Sequence, residues 1–116
     1  MNILGIETSC DDTSCAIVKN GTTVLSNVVS SQIKVHKKHG GIIPELASRC
    51  HLENINFVIA KAIKDARCKM RDIDAVAVTV GPGLIGSLIV GTTTAYAISN
   101  ILKVPIVVVN HIEGHI

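Results

Sequence analysis

The sequence predicts an α/β fold, a mixed sheet in the order β-β-β-α-β-α-β with flanking helices. Three observations predict it. Asn20-Gly21, a strong hairpin signal, lies between two strand-like runs. Ile55, Ile59, Ala62, Ile63 and Ala66 recur at helical spacing, which gives one apolar helix face. Residues 74–80 and 106–109 are nearly continuous apolar runs of the kind found in covered parallel strands.

Residues 2–8 read as a buried strand, 9–13 (SCDDT) as a polar turn and 14–19 as a second strand. Residues 22–29 make the third, so the chain opens with an antiparallel meander. Residues 30–43 carry three basic side chains and Gly40-Gly41, and are expected to form a loop. Pro44 suits the first position of a helix and Glu45 its positive end, and that helix is expected to run to about Lys69. After strand 74–80, a second helix follows Gly83 and ends near Leu102, with Pro105 stopping any continuation. Residues 106–109 form the last strand, and Asn110 is expected to cap a helix whose first turns are His111 to Ile116. Three antiparallel strands leading into right-handed βαβ crossovers make the ribonuclease-H-like arrangement. Actin-like ATPase (ASKHA) folds use two such halves. No repeat or linker divides the chain, so residues 1–116 read as one lobe.

Composition narrows the function classes. With 47% hydrophobic and 17% charged residues, a packed core is affordable and disorder is excluded. Phe57 and Tyr96 are the only aromatic residues, so a base-stacking platform for single-stranded nucleic acid is disfavoured. The net charge of +2 is too weak to indicate a nucleic-acid binder. Yet residues 34–71 hold nine basic and three acidic residues. That basic face is either solvated or a phosphate contact. Cys10, Cys15, Cys50 and Cys68 contain no C-x-x-C pair, which disfavours a zinc ribbon. With no signal peptide at the N-terminus, reduced cysteines and a cytoplasmic location are expected. Residues 75–102 lack charge over a membrane-spanning length, but Gly81-Pro82-Gly83 and the polar Thr92-Thr93-Thr94 break the run. No membrane association is expected.

Four features bear on chemistry. Asp11 and Asp12 lie in the turn between the first two strands, where Asp serves either as plain turn chemistry or as a cleft-facing carboxylate; Ser9 and Thr13 add hydroxyls. Gly81-Pro82-Gly83 joins a strand to a helix, but no Lys follows as in a P-loop. Gly83, Ser87, Gly91, Ala95 and Ser99 recur every four residues. That stripe predicts close approach of another backbone, from this chain or a partner. His111 and His115 stand one helical turn apart, the spacing that chelates a metal. Glu113 lies about 200° round the helix from each, too far to serve a metal-bound water, so proteolysis is disfavoured. Two ligands do not complete a site, and the others must come from elsewhere.

Residues 3–13 (ILGIETSCDDT), 40–51 (GGIIPELASRCH), 81–91 (GPGLIGSLIVG) and 110–115 (NHIEGH) resemble, in order, the TsaD family. Its members are tRNA N6-adenosine threonylcarbamoyltransferases, once called O-sialoglycoprotein endopeptidases. The sister family TsaB shares the fold and a GPG turn, but is not expected to carry the NHIEGH segment. The resemblance implies a two-lobed actin-like fold with one divalent metal, iron or zinc, between the lobes, held by His111 and His115. It implies transfer of threonylcarbamoyl from threonylcarbamoyl-adenylate to N6 of the adenine 3′ of the anticodon. Asp11 is implied as the catalytic carboxylate and Ser9 as a contact to the adenine nucleotide. TsaB-like and TsaE-like proteins and tRNA are the implied partners, with the helices at 44–68 and 84–102 meeting the TsaB-like one. Family members continue past NHIEGH with an Asp ligand, a nucleoside pocket and the second lobe. This chain therefore resembles an amino-terminal lobe, expected to bind metal weakly and to lack transferase activity alone. The rival reading is a non-catalytic lobe that dimerises with a TsaB-like partner; a sugar-kinase-like ATPase lobe is a third.

Overall fold

The computed structural model describes residues 1–110, and for residues 33–35 the backbone alone. Its elements are β1 (Asn2–Glu7), β2 (Asp12–Lys19), β3 (Thr23–Ser31), α1 (Ile33–Lys38), α2 (Pro44–Asp65), a short 3-10 turn at Met70–Asp72, β4 (Ala75–Gly81), α3 (Ile85–Leu102) and β5 (Ile106–Asn110). The sheet order is β3-β2-β1-β4-β5. β2 is antiparallel to both β1 and β3, whereas β4 runs parallel to both β1 and β5.

Local chemistry builds the meander. Asn20 and Gly21 both have positive φ, 54° and 72°, as a tight hairpin turn of this hand requires. Thr22 closes the turn by donating its N–H to the Lys19 carbonyl at 3.2 Å. β1 and β2 alternate buried and half-buried residues, so one face of the sheet is the core face.

The two crossovers, β3-α2-β4 and β4-α3-β5, step in the same direction across the sheet. Right-handed connections then place both helices on one face. α2 packs on β2 and β3, α3 packs on β4 and β1, and the helices touch each other. The core lies between: Leu4, Ile6, Cys15, Ile17, Val28, Val76 and Val78 from the sheet meet Ile55, Val58, Ile59, Ala62 and Ala95 from the helices. On the opposite face an open groove is lined by Gly5, Ala16, Asn27, Ala77 and Val109.

Three boundaries differ from expectation. Residues 30–43 are not all loop: β3 continues to Ser31 and Ile33–Lys38 is helical. Long-range bonds organise this segment. The Gln32 N–H donates to the Asp11 carbonyl at 3.1 Å. Its buried side chain donates to the Ala47 carbonyl at 3.3 Å and pairs with His36 Nε2 at 2.6 Å. The polar turn after β1 is also shorter, because Asp12 and Thr13 already pair with Ser31 and Ser30. α2 stops at Asp65, before Lys69, since Arg67 turns left-handed (φ 55°) and Cys68 N–H reaches back to Ile63 at 3.4 Å.

α3 is long and apolar enough to cross a membrane by length and composition. Here it is the crossover between two parallel strands. Its buried residues are the small ones, Ser87, Gly91 and Ala95.

Candidate functional site

Three segments converge at the carboxyl edge of the parallel strands, where open α/β sheets place their sites. The first is the β1–β2 turn, residues 8–11. The second is Gly81-Pro82-Gly83, leading from β4 into α3. The third is Asn110, which ends β5 opposite Gly81 and precedes His111.

The first two are in direct contact. A Cβ on Gly83 would lie 2.4 Å from the Ser9 carbonyl oxygen, so only glycine permits this approach. The Leu84 N–H then donates to that carbonyl at 2.8 Å. Ser9 itself is buried, and its N–H donates to Glu7 Oε1 at 2.7 Å. The other Glu7 oxygen accepts the Thr79 hydroxyl at 2.6 Å, which ties the turn to β4. Deeper in, the Thr8 hydroxyl donates to the Ser87 carbonyl at 2.7 Å, and a Cβ on Gly91 would meet Thr8 Oγ1 at 2.4 Å. The small-residue stripe thus seats α3 on this chain's own sheet. It is not the surface that a partner helix would approach.

Asp11 is half-buried in the turn and Asp12 is exposed at the start of β2. Behind them lies His51 of α2, fully buried. Its Nε2 is 2.7 Å from the Cys10 carbonyl and its Nδ1 is 2.7 Å from Thr13 Oγ1. Burial lowers its pKa from the ordinary 6.5, against the raising pull of Cys10, Glu7, Asp11 and Asp12. Cys10 is exposed beside these carboxylates. Partial burial first, and the Asp11 charge second, raise its pKa, so it is a protonated thiol and no ready nucleophile at neutral pH.

Sequence reasoning singled out Ser9 and Asp11, and the structure brings both to this edge. It did not single out Glu7, Thr79 or His51. His51 carried one signal: it sits four residues after Ala47 and four before Ile55, on the buried stripe of α2. His111 and His115 lie outside the described residues, as does the helix expected over 111–116. Among the described residues no cluster of three or more His, Cys, Asp or Glu is placed to hold a metal.

α2 and α3 also expose large apolar side chains. On α3, Ile85 is 77% and Ile101 78% exposed and Ile89 and Tyr96 are half or more exposed, whereas Val90, Ile98 and Leu102 pack against the core. Leu52 and Phe57 on α2 are likewise exposed.

Comparison with known proteins accords with this geometry. Residues 23–116 match the family model described as TsaD, tRNA N6-adenosine threonylcarbamoyltransferase. A tRNA N6-adenosine threonylcarbamoyltransferase of Clostridium kluyveri is 55% identical over all 116 residues, and that of Caldicellulosiruptor saccharolyticus is 56% identical over the same span. The chain covers 34% of the length of each. Among solved structures, YeaZ from Pseudomonas aeruginosa superposes with a TM-score of 0.71 over 95% of this chain and 45% of its own, at 16% identity. That likeness is one of fold, and it agrees with the actin-like α/β class expected from the order of elements. With the family model matched across most of its length, the chain belongs to the TsaD family.

Proposed function

We propose that this chain forms the amino-terminal part of a transferase that moves a threonylcarbamoyl group from threonylcarbamoyl-adenylate to N6 of the tRNA adenine 3′ of the anticodon. One observation carries the reading: in a TsaD chain, the Ser9–Asp11 turn, the Gly81–Gly83 turn and Asn110, the neighbour of His111, all meet at one sheet edge. In the reaction the N6 amine attacks the carbamoyl carbon. A C–N bond forms, the C–O bond to the phosphate breaks, AMP leaves, and N6 gives up a proton.

Asp11 presents a carboxylate acceptor to the amine, orienting it for attack. Ser9 lies in the same turn, beside the nucleotide. His111 and His115 would hold one divalent metal, iron or zinc. When bound, that ion supplies Lewis-acid polarisation of the carbamoyl donor. The exposed apolar face of α2 and α3 is where a TsaB-like partner docks, with a TsaE-like protein and tRNA completing the assembly. The basic segment 34–71 lies toward tRNA.

The test is transfer itself. The chain is supplied with threonylcarbamoyl-adenylate, tRNA, the partner proteins and the remaining two thirds of a TsaD relative as a separate chain or fusion. Threonylcarbamoyl-adenosine is then counted by mass spectrometry. Loss of product with Asp11→Asn supports the reading. Full activity in that variant removes Asp11 from the mechanism. Stable partner binding without product under every condition favours the non-catalytic lobe instead.

A further inference from the structure

The Asp11-Asp12 pair is bracketed by a single buried ring. His51 contacts the carbonyl of Cys10, the residue before the pair, and the hydroxyl of Thr13, the residue after it, both at 2.7 Å. Thr13 and His51 are both fully buried, and α2 supplies the ring from 41 residues beyond Cys10. We propose that His51 is a positioning residue, a clamp that fixes the aim of the Asp11 carboxylate by holding both flanks of its turn.

The partners dictate the protonation pattern. A carbonyl oxygen only accepts, so Nε2 must carry a hydrogen and donate to Cys10. In a neutral ring Nδ1 is then the acceptor, and Thr13 donates its hydroxyl to it. Both nitrogens are spent, and the ring is sealed from solvent. His51 therefore does not reach substrate and acts through the turn. Other contacts also hold the turn: Asp11 O accepts from Gln32, Ser9 O from Leu84, and Asp12 and Thr13 pair with β3. His51 reaches both flanks of the two aspartates from one ring.

The inference rests on the functional reading above, in which Asp11 meets the amine. The two are separable by experiment. Long-range 1H–15N NMR of this chain, followed from pH 6 to 8, is expected to show a neutral Nε2–H ring at His51; an Nδ1–H ring overturns the clamp. Two substitutions divide its contacts. His51→Gln places a donor near the Nε2 position and keeps the Cys10 bond. His51→Asn keeps a group near the Nδ1 position, facing Thr13, and loses the Cys10 bond. Amide signals of Cys10, Asp11 and Asp12 should move in the Asn variant and return toward wild type in the Gln variant, while those of β5 stay put. In the complete transfer assay, His51→Asn should lower kcat about tenfold to a hundredfold with KM for tRNA little changed, and His51→Gln should recover most of it. Equal behaviour of the two variants reduces His51 to core packing. Unchanged transfer by Asp11→Asn, with the NMR pattern as expected, instead overturns the functional reading and leaves the clamp standing.

Discussion

At Ser9 and Gly83 two turns meet with no room for a side chain, and this contact joins the halves of the candidate site. The obstacle to a Cβ at Gly83 is backbone, which cannot swing aside. Gly83→Ala is expected to cost about 1–3 kcal/mol, as overpacked sites do. In a domain of this size that lowers Tm by about 4 °C or more, readable by calorimetry. Gly86 gives the contrast. Its Cβ would meet Ser48 Oγ at 2.4 Å, the end of a side chain that can rotate. Alanine also favours the helix by about 1 kcal/mol, so Gly86→Ala should be near neutral. His51 sets a pH dependence. Burial lowers its folded pKa below the unfolded 6.5, so the unfolded ring takes up a proton first as pH falls. The neutral ring's contribution to stability is whole above about pH 6.5 and is lost as pH drops from there toward the folded value. Urea denaturation at pH 7.5 and 5 should show the advantage of wild type over His51→Gln shrinking on acidification. A constant difference would contradict a buried neutral imidazole.

Among the elements, α3 has the least usual polarity. Its buried residues are small and several of its large apolar residues are exposed, because Gly83 and Gly91 let this segment approach the Ser9 backbone and the Thr8 side chain closely. Thr93 is exposed, but Thr92 and Thr94 are half-buried. Thr92 and Thr94 return their hydroxyls to the carbonyls of Leu88 and Val90, at 2.9 and 2.8 Å. What remains outward on α3 is Ile85, Ile89, Tyr96 and Ile101, and Leu52 and Phe57 are exposed on α2. Large apolar side chains left exposed in this number suit an interaction surface. Ile89→Glu should therefore leave the isolated chain's stability within about 0.5 kcal/mol. It should weaken binding of a TsaB-like partner more than tenfold by burying an unpaired charge, measured by calorimetric titration. Undiminished affinity would place that partner on another face.

At the scale of the molecule, one sheet face carries both helices and the other is open among the described residues. Val107 and Val108 of the edge strand β5 are about half exposed, and among the described residues the groove at Gly5, Ala16 and Ala77 is lined by strands alone. The relatives are about three times as long, since the chain covers 34% of each. Two histidines alone make an incomplete coordination set for zinc or iron. The 116-residue chain by itself is accordingly expected to form no threonylcarbamoyl-adenosine and to hold iron or zinc weakly. Metal analysis after gel filtration, with His115→Ala as the comparison, checks the second point. Stoichiometric metal retained by wild type and lost in that variant would show that the chain closes the site unaided.

The order of strands and helices was legible in the residues themselves. Asn20-Gly21 sets its own positive φ, Pro44 starts its own helix, and the apolar spacing of α2 is written along one stripe. Such signals act within a few residues, so no fold is needed to read them. The motifs also carried the family and pointed to Ser9 and Asp11. The small-residue stripe marked the face of α3 that is closely approached, and Ser87, Gly91 and Ala95 are buried there; tertiary structure alone decided that the approach comes from this chain's own β1–β2 turn and sheet. It alone made α1, where Gln32 bonds the Ala47 carbonyl of α2 and pairs with His36. It alone joined Glu7 to Thr79 and His51 to Cys10 and Thr13, partners 72, 41 and 38 residues apart. Contacts at such separations exist only once the sheet has closed and the helices have docked, and those contacts fix where the Asp11 carboxylate sits.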